Sequence, residues 1–450
     1  MTLDLKTLTA AIKKREIDTV IVAFPDTVGR LVGKRFTGKH FLSQAATSGT
    51  HACNYLLTVD IEMEPQSGFA LANWEQGFGD FELRPDFSTL RRLPWQPTTA
   101  LLICDCAHPE SNWVPEAPRS VLRNQLAKAS QLGYTPYAAT ELEFFLLNQS
   151  YHAASLAHYQ GLTPSSDYRI DYHTMQPTRD EALMRQIRNQ MDEAGIAIES
   201  SKGEWGRGQH ELNFVYDQVL PMADGHTIFK QGVKEIAAQH ERCVTFMPKP
   251  WANEVGSSCH IHFSLWKGSV NRFWDKKTKK GSSLFRQFLG GVLKYSPELC
   301  YFYAPTVNAY KRYQVGSWAP TKMAWSYDNR TVGFRVVGSG QGFRFENRMP
   351  GADANPYLAF SAMLAAGMAG IEEELDCGDD YQGNAYTDDR LPALPRSLHD
   401  AASRLKKSAF ARRAFGDAVV DFYAHTAELE AAAYASAVTD WERTRYFEQI

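Results

Sequence analysis

This 450-residue chain has no apolar run approaching the roughly 20 residues that span a membrane. It has no surplus of one charge either. Lys and Arg number 48 against 51 Asp and Glu, so no basic field invites nucleic acid or an anionic membrane. Met1-Thr2-Leu3-Asp4-Leu5 lacks the basic and apolar regions of a secretory signal. Cysteine is sparse, odd in number at seven, and scattered, which points to a reduced, cytoplasmic chain rather than a disulfide framework. Cys104 and Cys106 flank Asp105 in an apolar run and read as core thiols. There is no internal repeat. There is no Walker loop and no G-x-G-x-x-G at a strand–helix junction, which excludes the P-loop and Rossmann nucleotide sites.

What is present is enough apolar sequence, 44%, to bury a sizeable core, and a length that implies two or three domains. Residues 1–107 read as a small α+β unit. Leu5, Leu8 and Ile12 have helical spacing, and Thr19 to Phe24 with Leu31 to Phe36 form a hairpin around Pro25–Arg30. Residues 64–79 are loop, and Thr99 to Cys106 is a further strand. The polar, Pro-containing segment 108–118 is the expected boundary, with 108–450 as the second domain. Pro118 to Gly133 is a helix with Pro in its first turn, residues 150–175 a long loop, and Leu183, Ile187 and Met191 mark another helix. The segment 199–216 holds a Gly-rich loop and then a strand, 223–242 a helix, Lys276–Lys280 a solvated hairpin tip, and Asn355-Pro356 the start of a long helix.

Three strands share an unusual pattern. In Thr140-Glu-Leu-Glu-Phe-Phe-Leu-Leu147, Glu141 and Glu143 alternate with apolar residues and so project from one face. His260-Ile-His-Phe-Ser-Leu265 and Phe343-Arg-Phe-Glu-Asn-Arg348 repeat it with His260, His262 and Ser264, then Arg344, Glu346 and Arg348. Each has a bland reading: Glu on a solvated face, His in a core, Arg in an ordinary salt bridge. The recurrence on distant strands makes the bland readings jointly untenable. Glu141, Glu143, Glu211, Glu346 and His260, with Glu204 from a loop, would line one surface. Carboxylates so crowded repel unless cations bind, and a set with one imidazole suits Mg²⁺ or Mn²⁺. Arg312, Arg330, Arg335, Arg344 and Arg348 around them suit phosphate and carboxylate. A metal pair and an Arg clamp is the chemistry of phosphoryl transfer from a nucleotide.

Nine segments, in order, carry a resemblance. They are Asp80-Phe-Glu-Leu-Arg-Pro-Asp86, Glu141-Leu-Glu-Phe-Phe145, Gly208-Gln-His-Glu211, Thr245-Phe-Met-Pro-Lys-Pro250, Gly256-Ser-Ser-Cys-His-Ile-His262, Asn308-Ala-Tyr-Lys-Arg312, Asn329-Arg330, Arg344-Phe-Glu-Asn-Arg348 and Asn355-Pro-Tyr-Leu358. The chain resembles the glutamine synthetase family over nearly its whole length. The resemblance implies an α+β fold: a small N-terminal β-grasp domain and a large catalytic domain on a curved antiparallel sheet. It implies two metal positions, one held by Glu143, Glu204 and Glu211, the other by Glu141, His260 and Glu346. It places Glu199, His262, Ser264, Arg335 and Arg344 with ATP, and Arg330 at the transferring phosphoryl group. Arg312, Arg348 and the backbone of Gly256 would grip glutamate. It implies stacked hexameric rings, a homododecamer.

Three positions depart from the ammonia-using members. Ser317-Trp318-Ala319-Pro320 stands where they have Tyr-Glu-Ala-Pro, so Trp318 replaces a glutamate that draws a proton from ammonium. Val255 replaces an Asn, and Ser48–Asn54 replaces an Asp-bearing loop. Ammonium wants an anionic cage. A wider, partly apolar pocket suits a primary amine, with cation–π help from Trp318 of roughly 0.5–2 kcal/mol. The pattern resembles the γ-glutamylpolyamine and γ-glutamylmonoamine synthetase branch. The expected reaction is ATP-dependent joining of glutamate to an amine. A glutamine synthetase with a remodelled ammonium site, or a family member without catalysis, are the alternatives.

Overall fold

In a computed structural model, residues 3–108, 113–175 and 177–450 are described. The expected boundary segment 108–118 lies partly outside them.

The helix Leu5–Lys13 begins at Asp4, whose carboxylate accepts from the Thr7 amide at 2.6 Å and so satisfies one of the free first-turn donors. It buries Leu8 and Ala11. The hairpin Thr19–Pro25 with Leu31–Thr37 forms as the turn residues predict. Its first strand pairs in parallel with Thr99–Ala107, which pairs with Asp80–Arg92, and that with Thr50–Cys53. The result is a mixed five-stranded sheet. All nine residues of Thr99–Ala107 are buried, and Cys104 and Cys106 are the core thiols their setting implied.

A second sheet of ten strands carries the polar faces. Its main path runs Trp325–Tyr327, Phe334–Val337, Arg344–Asn347, Cys259–Lys267, Thr135–Leu147, Gln209–Phe214, Ile198–Gly203. All of these pairs are antiparallel except the first, which is parallel. One face is covered by the helices Pro118–Gln131 and Val219–Gln239, and Pro356–Glu372 packs against both of them. The last is apolar on every side and buried along nearly its whole length, as a central helix must be. It packs closely on Ser283–Tyr295 because Gly291 and Gly370 meet there. A Cβ on Gly291 would lie 2.1 Å from the Ala366 carbonyl oxygen.

Arg119 ties the first sheet to the helices behind the second. Only 2% exposed, it donates to Asp105 and Asp86 of the first sheet and to Asp224 of the helix Val219–Gln239. The Tyr357 hydroxyl donates to Asp224 at 2.6 Å. Buried charges need such pairing and hydrogen bonding to be tolerated.

Two segments differ from the expectation. The loop 150–175 contains the helix Tyr151–Leu156, started by the Ser150 side chain. The segment 199–216 contains two strands rather than one, with the Gly-rich loop as their turn. The tip at Lys276–Lys280 is a hairpin, closed by Trp274–Asp275 against Lys280–Gly281.

Candidate active site

Strand register sets the site. His260 lies opposite Glu141, Glu143 opposite Glu211, and Glu346 opposite both His262 and Arg335. Ile261, Phe263 and Leu265 point the other way, into the core, which fixes the polar face by alternation. Carboxylates and imidazoles from four strands therefore share one concave surface, as the sequence patterns implied.

The surface divides electrostatically. On one side, His262 accepts from Arg344 Nε through Nδ1 at 3.1 Å. Its proton is therefore on Nε2, which donates to Glu141 at 2.7 Å. Burial pushes the Glu141 carboxyl up, but His260 and His262 outweigh it and hold it well below the usual range. Glu346 is fully buried, yet Arg348 and His260 hold its carboxyl low. Arg348 Nη1 donates to it at 2.5 Å and Arg335 Nη1 at 3.1 Å. On the other side little compensates. Burial, then Glu204, push Glu143 up to about 8. Burial, then Glu204, Glu141 and Glu143, push Glu211 up to about 9. Neighbouring groups thus outweigh burial at Glu141 but not at Glu143.

The donor atoms fit divalent cations. Those of Glu141, His260 and Glu346 lie within 4.8 Å of one another, as do those of Glu143, Glu211 and His260. The buried Nε2 of His260 has no hydrogen-bond partner, and burial, then Arg348, keep the ring's affinity for a proton low. A neutral ring with an orphaned acceptor among carboxylates is what a hard cation with one imidazole ligand requires. Glu204 is the exception. It is turned to the ammonium of Lys202, which also stands 3.8 Å from Glu211 and 3.7 Å from Asp171. Lys202 is the cation of this side, and the sequence reading missed it.

Glu199, His262, Ser264 and Arg344 line one cavity of about 390 Å³, beside Tyr137, Tyr216 and Trp266. The Tyr216 and Trp266 rings stack at 6.3 Å. Arg335 is not in its lining; it bridges Glu346 and Asp328. Gly256 packs on Arg312, whose Cγ a Cβ there would meet at 2.5 Å. Arg312 is 1% exposed and gives its fork to the Met349 and Arg348 carbonyls. Arg348 divides its fork between Glu346 and the Trp318 carbonyl, at 3.2 Å for the latter. Neither fork is free for a bidentate grip, and the Nε of each is buried without a partner. Arg330 is exposed, with its charge acting on Asp171. Trp318 is half-exposed and holds a left-handed backbone, φ +66°. The bonds to its own carbonyl from Arg348 and to that of Ala319 from Tyr386 secure it.

Two further residues escaped the sequence reading. Gln209 donates to Glu143, the Gly256 carbonyl and Ser257, and so fixes the carboxylate against the 256–258 turn. Its only signal was its place in Gly208-Gln-His-Glu211. Trp205 lies edge-on to Trp318, with ring centroids 6.2 Å apart.

Such a sheet, with acidic, imidazole and Arg groups beside an aromatic cavity, suits divalent cations and the phosphates of a nucleotide. Residues 115–446 match the family model of the glutamine synthetase catalytic domain, and the chain belongs to the glutamine synthetase family. It is 46% identical over 449 residues to gamma-glutamylethanolamide synthetase of Streptomyces coelicolor, covering 100% of this chain and 96% of that one. It is 37% identical over 444 residues to the glutamate–isopropylamine ligase of a Pseudomonas species, covering 98% and 97%. The solved structure of a GmaS–ADP complex superposes with a TM-score of 0.86 at 29% identity, over 99% of this chain and 100% of that one. Among the described residues no helix is long and apolar enough to cross a membrane.

Proposed function

We propose that this chain joins the γ-carboxylate of glutamate to a primary amine at the expense of ATP, through γ-glutamyl phosphate. The observation that carries the amine reading is Trp318. It stands where ammonia-using relatives carry a glutamate, and it is held open to solvent beside the carboxylate surface. An indole accepts no proton and forms no anionic cage, but it offers an apolar, electron-rich face to an alkylammonium. The names of two close relatives, an ethanolamide synthetase and an isopropylamine ligase, support the same reading.

In the first step the γ-phosphoryl group of ATP passes to a glutamate carboxylate oxygen, and ADP leaves. A carboxylate is a poor electrophile, and phosphorylation gives it a leaving group. In the second, the amine nitrogen attacks the acyl carbon, the bond to phosphate breaks, and the proton the amine loses passes to the departing phosphate or to water. Glu143, Glu204 and Glu211 would hold one Mg²⁺ or Mn²⁺ ion and Glu141, His260 and Glu346 a second, which would neutralise charge on the phosphates. Glu204 reaches that role by leaving Lys202. Glu199, His262, Ser264 and Arg344 hold the nucleotide, with Arg335 reaching its phosphates. Arg330 stabilises the transferring group, an exposed charge with room to move. Gly256, Arg312 and Arg348 hold glutamate, which requires the two Arg forks to give up some of their internal bonds. The reading includes a division into domains at 107/108, a cytoplasmic setting and a dodecamer of two hexameric rings.

Replacing Trp318 by Ala tests it. The Michaelis constant for the amine should rise about tenfold while that for glutamate changes little, since a cation–π contact carries ~0.5–2 kcal/mol. Equal damage to both constants would mean that Trp318 only packs the flap.

A further inference from the structure

The Trp318 indole has a partner. Trp205 follows the carboxylate Glu204 directly in sequence and meets Trp318 edge-on, so the two rings form one aromatic pair next to Glu204. The guanidinium of Arg169 lies 4.5 Å over the Trp205 ring. A backbone bridge between residues 169 and 207 holds the two segments together. Arg169 is exposed, and among the described residues it forms no ion pair. The two acids that flank it in sequence are turned elsewhere, Asp167 to Arg179 at 3.8 Å and Asp171 to Lys202 at 3.7 Å. The guanidinium of the neighbouring segment, Arg207, is balanced by Glu254 at 2.7 Å. Among the described residues no carboxylate therefore sits at salt-bridge distance from Arg169.

This arrangement bears on which amines fit, and the inference rests on the ligase reading above. We propose that Arg169, seated on Trp205, makes the amine site select against a second positive charge. The chain then takes monoamines with an uncharged tail in preference to diamines and polyamines. The physical reason has two parts. The aromatic face that would attract a distal ammonium is already covered by a guanidinium. The guanidinium itself repels that ammonium, as like charges do across a few ångströms even where salt screens them. An alkyl or hydroxyalkyl tail meets neither penalty and gains from contact with the rings.

The test compares butylamine with 1,4-diaminobutane, which share a carbon chain and differ by one ammonium. Phosphate release is measured with glutamate and ATP saturating. The expected kcat/KM for butylamine exceeds that for the diamine by about tenfold or more, and added salt narrows the ratio, as it does for interactions between exposed charges. In Arg169→Gln the ratio falls toward one. In Arg169→Lys, which keeps the charge, most of it remains. A wild-type preference for the diamine overturns the proposal and leaves the ligase reading intact, as does a ratio that Arg169→Gln does not move. If ammonium outperforms both amines, the ligase reading itself fails and the proposal falls with it.

Discussion

Glu143→Gln separates a carboxylate that awaits a cation from one that merely braces the fold. Glu143 is 6% exposed, and its Oε2 accepts from Gln209 at 3.1 Å and from the Ser258 amide at 2.8 Å. An amide oxygen accepts both bonds equally well. What the substitution removes is the charge. With its carboxyl raised from 4.5 to about 8, the group is ionised in the unfolded chain near neutrality but resists ionisation in the folded one. The resulting penalty is absent below the ordinary value, grows as pH rises toward 8, and is constant above it. At ~1.4 kcal/mol per pH unit it reaches about 3 kcal/mol near neutral pH. Metal-free Glu143→Gln should therefore melt above metal-free wild type near neutral pH, and the gap should close at acid pH. Saturating Mg²⁺ should reverse the order. A ligand at a hundred times its dissociation constant adds ~2.7 kcal/mol to the state that binds it, and the variant lacks one carboxylate for it. Thermal melts with and without Mg²⁺ read both effects. A metal-free variant no more stable than wild type, and equally stabilised by Mg²⁺, would refute the reasoning.

Mg²⁺ binding should release protons near neutral pH, because Glu143 and Glu211 hold them there and must give them up to become ligands. Affinity should accordingly strengthen as pH rises toward about 9, and calorimetry in buffers of different ionisation heat counts the protons. Arg348→Lys should weaken glutamate binding at least about tenfold, because an ammonium cannot serve Glu346, the Trp318 carbonyl and a substrate from one plane. Unchanged glutamate affinity in steady-state kinetics would reduce Arg348 to a structural partner of Glu346.

Much of this was legible in the sequence, for a definite reason. A strand with one polar and one apolar face can be read from alternation alone, and the strands holding Glu141, His260 and Glu346 all alternate cleanly. Where local signals conflicted, the elements were missed. Asp80–Arg92 is one long strand, but Pro85 lacks a ladder donor and the pairing shifts register between Asp86 and Arg91, so its sequence carries no clean strand signal. Ile198–Gly203 runs Ile-Glu-Ser-Ser-Lys-Gly, with no apolar alternation to announce it. The charges that balance the site were missed for another reason. Lys202 on Glu204, Arg169 on Trp205, and the inward-turned forks of Arg312 and Arg348 are contacts across segments. Residue spacing gives no hint of which partner a long cationic side chain chooses.

The central claim is that Trp318 marks an amine site. The direct measurement is glutamate- and ATP-dependent phosphate release with ammonium and a set of primary amines, each followed to its kcat/KM. The account predicts that at least one primary amine exceeds ammonium by a wide margin, with the γ-glutamylamide as product. Ammonium as the best nucleophile, with glutamine as product, would contradict it.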